Sequence, residues 1–255
     1  MAKVLVTGAT GRTGSIVLTK LRDRSRSADA NFEKVCGFAR SAEKAEQVFG
    51  SVDNLYFGDI NDPDSLNSAI AGMDALVILT SAVPKMTPAA EPGKPPECSF
   101  EERGTPEEVD YQGQLNQINC AKDAGVKHIV LVGSMGGTDE QHPLNQFGKI
   151  LIWKRKAEQY LIDSGVDYTI IRAGGLINEP GGREVLIGKD DRLLNSPPGD
   201  IPTTIPRDDV AEVVVQALLQ PNARNKAFDT ITKPASEQSI SQDFNRLFAQ
   251  AKSGL

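Results

Sequence analysis

The stretch Val4-Leu5-Val6-Thr7-Gly8-Ala9-Thr10-Gly11-Arg12-Thr13-Gly14 decides the fold. Its apolar opening, residues 3–7, reads as a strand, and Ile16, Val17, Leu18 and Leu21 follow with the spacing of a helix face. Between them each glycine has its own task. Gly8 permits a tight turn out of the strand, Gly11 lets the backbone approach a pyrophosphate, and Gly14 lets helix and strand pack closely. A pyrophosphate held there meets free N–H groups and the positive end of a helix dipole. Three glycines alone are weak evidence, but between a strand and a helix they point to a dinucleotide site. The competing reading is a plain structural turn.

Outward from this motif, strands and helices alternate. The polar stretch 22–31 is expected to end the first helix before a second strand at 32–38. Residues 42–49 read as a helix, 54–57 as a third strand, and 63–70 as a helix with proline in its first turn. Residues 74–79 (DALVIL) form a continuous apolar strand of the kind buried on both faces. Residues 84–106 hold six of the fifteen prolines and cannot be one regular element. Helix resumes over 106–124, followed by a strand at 127–132, a helix at about 148–164 and a strand at 168–172. Beyond Gly174 the texture turns Gly- and Pro-rich, with helices expected at 207–219 and 240–251. This alternation predicts a doubly wound α/β fold, a parallel Rossmann sheet covered on both faces. Residues 1–255 are expected to form one domain, with 174–206 and 220–255 contributing a small irregular substrate lobe. Residues 84–106, with Glu91, Glu97, Glu101 and Glu102 among the prolines, read as a lid or a partner-binding loop.

The end of the second strand selects the dinucleotide. An acid there accepts hydrogen bonds from a ribose 2′-hydroxyl, whereas an arginine pairs with a 2′-phosphate. Here the strand ends in Arg40-Ser41, with no acid, and Arg12 stands in the glycine loop. A planar, permanently charged guanidinium suits phosphate. The expected cofactor is therefore NADP(H) in preference to NAD(H). Gly58-Asp59-Ile60 after the third strand is placed to meet the adenine, although Asp59 can equally cap its own turn.

Composition removes other classes. A net charge of −6 argues against a surface built to neutralise nucleic acid backbones. No apolar run approaches the ~20 residues of a membrane span. Cys36, Cys98 and Cys120 are odd in number and lack metal-ligand spacing, which fits a reducing compartment and no metal site. The opening residues run straight into a strand, so a cytoplasmic location is expected, with a processed organellar form as the alternative.

TGATGRTG, the GDI step, DALVILTSA, VKHIVLVGSMGG, WKRKAEQYL and TIIRAGG together resemble the atypical short-chain dehydrogenase/reductase superfamily, in particular NmrA-like and plant-type NAD(P)-binding members. The likeness spans essentially the whole chain. It implies cofactor contacts from Gly8, Thr10, Gly11, Arg12, Thr13, Gly14, Arg40, Asp59, Ile60, Thr80 and Ser81. Lys154 and the strand end Ala173-Gly174-Gly175 are expected nearer the nicotinamide. Enzymes of this superfamily use a serine after the fifth strand and a Tyr-x-x-x-Lys pair, whose spacing puts phenol and ammonium on one helix face. Ser134 and Lys154 occupy the serine and lysine positions, but Ile150 stands where the tyrosine is needed. His142, Tyr111 and the basic cluster Lys149, Lys154, Arg155 and Lys156 are weaker candidates, each with a plain packing or surface reading. Two classes of function remain: an NADPH-dependent reductase of a quinone, flavin or carbonyl acceptor that lacks the usual tyrosine, and a non-catalytic NADP(H)-responsive regulator. No nucleic acid partner is expected, a protein partner is left open, and the sequence is silent on oligomeric state.

Overall fold

A computed structural model describes residues 1–27, 31–87, 97–235 and 242–255. The elements run in the order β1 (Ala2–Thr7), α1 (Gly14–Arg26), β2 (Phe32–Ala39), α2 (Ala42–Phe49), β3 (Leu55–Phe57), α3 (Pro63–Ile70), β4 (Ala75–Ile78), β5 (Lys85–Thr87) and β6 (Glu97–Ser99). A π-helical turn at Glu107–Gln112 leads into α4 (Gly113–Asp123), then β7 (His128–Ser134), α5 (Ile150–Asp163), β8 (Asp167–Ala173), β9 (Gly175–Ile177) and β10 (Val185–Gly188). The short α6 (Arg192–Asn195), β11 (Thr204–Pro206), α7 (Arg207–Leu219), β12 (Lys226–Thr232) and α8 (Phe244–Ala249) complete the chain.

Eight strands form one sheet in the order β10-β12-β8-β7-β4-β1-β2-β3. All neighbours pair in parallel except β10, which runs antiparallel to β12. Alternation along the strands explains why both faces are covered. Val4, Val6, Val77, Val130 and Ile171 enter one core with Val17, Leu18 and Leu21 of α1 and the valines of α7. Leu5, Leu76, Ile78, Ile129, Leu131 and Ile170 enter the other with α3, α4 and Leu161 of α5. A strand apolar on both faces must lie between two helical layers, and that arrangement makes the sheet mainly parallel. The doubly wound Rossmann fold expected from the sequence is the fold observed.

Three readings need correction. Helix α1 runs to Arg26 instead of breaking at residue 22, because Arg22 donates to the Asp53 carbonyl at 2.8 Å and Arg24 reaches Glu212 at 2.7 Å. Residues 220–255 are not only an irregular lobe: Lys226–Thr232 is an interior strand beside β8, and Val185–Gly188 adds the sheet edge. The last helix spans Phe244–Ala249 instead of 240–251; Asp243 caps it by accepting from the Arg246 N–H at 3.0 Å, and residues 240 and 241 lie outside the described residues. Of the expected lid at 84–106, residues 88–96, Glu91 among them, are also outside the described residues. Its flanks β5 and β6 pair antiparallel. Among the described residues no helix is long and apolar enough to cross a membrane.

Candidate functional site

Strand order reverses at β1, whose neighbours are β2 on one side and β4 on the other. Ligands of open α/β sheets bind at such a reversal, beyond the C-terminal strand ends. A cleft of about 390 Å³ opens there, walled by Gly8, Thr10 and Gly11 after β1, Phe38, Ala39, Arg40, Ser41 and Lys44 at and after the end of β2, Asp59–Asn61 after β3 and Leu79–Val83 after β4. Gly8 has φ +68°, and a Cβ on it would lie 2.8 Å from the Leu79 carbonyl carbon and oxygen. A Cβ on Gly14 would lie 2.1 Å from the Gly8 carbonyl oxygen, so helix and turn touch backbone to backbone. The Gly11 N–H donates to that same oxygen at 2.9 Å. Helix α1 starts without a side-chain cap and with no acid in its first turn, which leaves its positive end for an anion. The cradle therefore fits a diphosphate: it is bare of side chains where backbone must approach, and positive where charge must be met.

At the far end of the cleft the basic side chains are more numerous than the sequence suggested. Ser41 caps α2 by accepting from the Lys44 N–H at 3.1 Å, and this turn brings Lys44 onto the wall that carries Arg40. Lys85 and Arg103 join the same wall from the β5–β6 side. Glu101 lies among them; its carboxyl is held below the usual range first by a hydrogen bond from Lys85, at 3.1 Å, and then by the charges of Lys85 and Arg40. Asp59 and Ile60 line the cleft as expected, but Asp59 Oδ1 also accepts from the Asn61 N–H at 2.8 Å and so caps its own turn. Arg12 is exposed and is not among the residues of the Arg40 wall; its charge is felt by Arg207, whose pKa is lowered by burial first and by Arg12 second. Thr13 and Gly14 stand behind the cradle at the helix start, while Thr80 and Ser81 line the cleft.

Ser134 and Lys154 lie beyond this cleft wall. Ser134 Oγ donates to the Met135 carbonyl at 3.1 Å, a local backbone bond. Lys154 faces inward on α5, and its Nζ contacts Asp110 Oδ1 at 2.6 Å. Asp110 is fully buried, and its other oxygen accepts from the Ala82 N–H at 3.0 Å. The carboxylate thus ties the lysine to the end of β4. Asp110 sits in the π-helical turn, which opens with a reciprocal cap: the Glu108 N–H donates to Thr105 Oγ1 at 3.3 Å and the Thr105 N–H to Glu108 Oε2 at 3.1 Å. Sequence reasoning passed over Asp110 and named its neighbour Tyr111, whose ring packs 5.4 Å from that of Trp153. Lys156 lies over Trp153 at 4.3 Å, and Lys149 is exposed at the helix start. His142 Nδ1 accepts from the Leu144 N–H at 3.2 Å, with its ring against Gly136.

Ala173, Gly174 and Gly175 are placed apart from the cleft wall. Gly174 donates to the Thr230 carbonyl and Gly175 to that of Thr203, each at 2.9 Å, so this strand end ties the two-stranded β9–β11 sheet to the eight-stranded one. Beneath it a buried charge network organises the loop after β7. Arg172 Nε contacts Glu158 at 2.8 Å and its Nη1 approaches Asp229 at 3.6 Å. Asp229 accepts from the Asp191 N–H at 2.8 Å, and Asp191 accepts from the Gly136 and Thr138 N–H groups at 2.7 and 2.8 Å. Burial pushes the Asp229 carboxyl up, while hydrogen bonds from Thr138 and Gly136 outweigh burial and hold the Asp191 carboxyl low.

A glycine cradle at the switch point of a Rossmann sheet, with basic groups along one wall of its cleft, defines a pyridine-dinucleotide-binding protein. The chain belongs to the NAD(P)H-binding family, whose pattern its residues 8–221 match. It is 54% identical over 252 residues to an uncharacterised chloroplastic protein of Arabidopsis thaliana, covering 97% of this chain and 74% of that one. It is 50% identical over 269 residues to sanguinarine reductase of Eschscholzia californica, covering 97% and 95% of the two chains. Among solved structures, a Bacillus halodurans protein described as an NAD-dependent epimerase/dehydratase superposes with a TM-score of 0.72 at 23% identity, over 98% of this chain and all of that one. Triphenylmethane reductase of Citrobacter sp., solved with NADP(H), gives 0.58 at 19% identity, over 91% and 70% of the two chains. At such identities the structural likeness speaks for the fold.

Proposed function

We propose that this protein binds NADP(H) in preference to NAD(H) and uses it to reduce a small acceptor of the quinone, flavin or carbonyl type. The carrying observation is the wall formed by Arg40, Ser41 and Lys44 at the adenosine end of the glycine cleft, with no acid at the end of β2. An acceptor-rich 2′-phosphate matches two cations and a helix N-terminus, whereas a 2′-hydroxyl brings no charge to pair with them. Gly8, Thr10 and Gly11, backed by Thr13 and Gly14, cradle the diphosphate. Asp59 and Ile60 meet the adenine, and Thr80 and Ser81 border the ribose. When bound, the nicotinamide supplies a hydride. Lys154, held by Asp110, and the loop carrying Ser134 border the reacting end, and Ala173–Gly175 shape it from behind. Ile150 offers no proton at the tyrosine position, so the proton comes from water, from the acceptor, or from a residue outside the usual motif. The 50% identity to sanguinarine reductase over 95% of that enzyme supports the reductase reading. Free cysteines at 36, 98 and 120 suit a reducing compartment, which the cytoplasm and the interior of a chloroplast both are.

Calorimetric titration with NADPH and NADH tests the cofactor assignment. Arg40→Ala is expected to weaken NADPH about tenfold or more, the value of a charged hydrogen bond, and NADH less than twofold. Equal affinity of the unmodified protein for both would refute it. The second reading, an NADP(H)-responsive regulator, is favoured by Ile150 alone. Absence of NADPH oxidation across a panel of quinones, flavins and aldehydes, together with cofactor-dependent binding of a protein partner, would select it.

A further inference from the structure

Under the cleft runs a hydrogen-bond chain whose direction can be read from its end groups. Gln117 is fully buried on α4, and its Nε2 donates to the Gly113 carbonyl at 2.9 Å. A carbonyl only accepts, so this end of the amide is nitrogen and the other is oxygen. Gln117 Oε1 accepts from Thr7 Oγ1 at 2.6 Å, and the remaining Nε2 proton reaches Thr80 Oγ1 at 3.2 Å. Thr7 Oγ1 also lies 3.3 Å from the Val77 carbonyl, a longer approach that competes for the same single proton. Thr80 therefore already accepts from the protein. Its own proton remains, and among the described residues no protein acceptor takes it. Thr80 lines the cleft beside the glycine turn: its backbone nitrogen would be 3.0 Å from a Cβ placed on Gly8.

We infer that Gln117 is a positioning residue that occupies one lone pair of Thr80 Oγ1 and turns the Thr80 proton toward an acceptor oxygen on the ribose–diphosphate part of the dinucleotide. The inference rests on the cofactor reading above and adds a second residue and a direction to it. The donor is prepared before binding, because Gln117 is held at both ends by Thr7 and Gly113. A ligand acceptor oxygen is favoured at this position, since the Thr80 proton has no protein acceptor among the described residues while one of the two lone pairs on its oxygen is already taken by Gln117. The ribose–diphosphate part is common to NADP(H) and NAD(H), so the contact contributes affinity without selectivity, unlike Arg40.

Calorimetric titrations of the whole protein with NADPH and NADH test this. Thr80→Val should weaken both cofactors by the same factor, about five- to tenfold, leaving their ratio unchanged, while Thr80→Ser stays within twofold of the unmodified protein. In Gln117→Glu the buried side chain stays the neutral acid, its O–H donating to the Gly113 carbonyl in place of the amide, and that oxygen accepts from Thr80 and draws the Thr80 proton inward. It should match the Thr80→Val loss, and adding Thr80→Val should cost nothing more. Gln117→Met leaves the hydroxyl free to turn and should lose less than Thr80→Val; it also decides the matter if Gln117→Glu does not fold. Unchanged affinity in Thr80→Val, or equal losses for Thr80→Ser and Thr80→Val, would overturn the inference while Arg40→Ala still altered selectivity. Failure of the cofactor reading itself looks different: the unmodified protein then binds neither nucleotide, and this inference falls with it.

Discussion

Removing Lys154 should cost more stability than removing its partner, although the two share one contact. The Nζ–Oδ1 separation is 2.6 Å, which at an effective dielectric constant of about 20 corresponds to roughly 6 kcal/mol of attraction before desolvation is counted. Most of that offsets the burial of two charges. The net cost appears when one partner is taken away, about 3–5 kcal/mol for a buried pair. The exposures set the asymmetry. The Asp110 side chain is 0% exposed and the Lys154 side chain 10%. In Lys154→Met, Asp110 keeps only the Ala82 N–H and has no path to water, so the upper part of that range applies. In Asp110→Asn the ammonium can turn toward the cleft, and the amide oxygen still accepts from Ala82, so the cost falls near or below the lower end. The double variant leaves no buried charge and should recover at least half of the Lys154→Met loss. Urea unfolding followed by the fluorescence of Trp153, the single tryptophan, one residue before Lys154, measures all three. For a chain of this size about 4 kcal/mol also lowers Tm by roughly 8–16 °C. Additive losses in the double variant, or a larger loss for Asp110→Asn than for Lys154→Met, would refute the argument. The outcome bears on catalysis too, since a turnover defect in Lys154→Ala has meaning only at a temperature where that variant is folded.

Two further outcomes follow from other parts of the structure. Gly14→Ala places a methyl 2.1 Å from the Gly8 carbonyl, and backbone cannot move aside as a side chain would; we expect about 1–3 kcal/mol of destabilisation and loss of dinucleotide binding, and unimpaired calorimetric binding would contradict the cradle. His128 is buried with its Nε2 2.9 Å from Thr169 Oγ1, whose proton goes to the Ala223 carbonyl, and burial first, then Arg224, lower its pKa from 6.5 to about 4. Between those two values the unfolded chain takes up a proton that the folded chain refuses, so stability falls as pH drops through this window. The slope reaches about 1.4 kcal/mol per pH unit and the total about 3 kcal/mol; His128→Gln should flatten the urea midpoint against pH over that interval, and an unchanged slope would show that His128 is not the group responsible.

How much of this was legible beforehand depended on how local each cause is. The glycine turn reads directly, because a strand, three glycines and a helix face stand in one short run whose backbone demands are set by neighbours in sequence. Arg40 was equally plain as the residue that ends β2. Lys44 was missed although its signal was present: Ser41 is a helix N-cap, and a cap folds the residue three positions on back toward the strand end. Strand β12 was hidden for another reason. Its sequence KAFDTIT carries Asp229, Thr230 and Thr232, which look solvated, yet all three are buried, and Asp229 finds its partners in Arg172 and Asp191 from distant parts of the chain.

By itself, the chain's pattern determined the alternating layers, the parallel sheet, the cradle between β1 and α1 and the cation after β2, since each follows from periodicity or steric demands within a few residues. Only the tertiary structure decided that the charge of Arg12 is felt by Arg207, that Lys154 is bound to Asp110, that Thr80 has one proton left to give, and that the stretch after Gly174 returns a strand to the sheet interior. Those outcomes depend on which buried charge or hydroxyl meets which partner across long separations in sequence, and the burial that makes such pairings strong exists only after the sheet has closed over them.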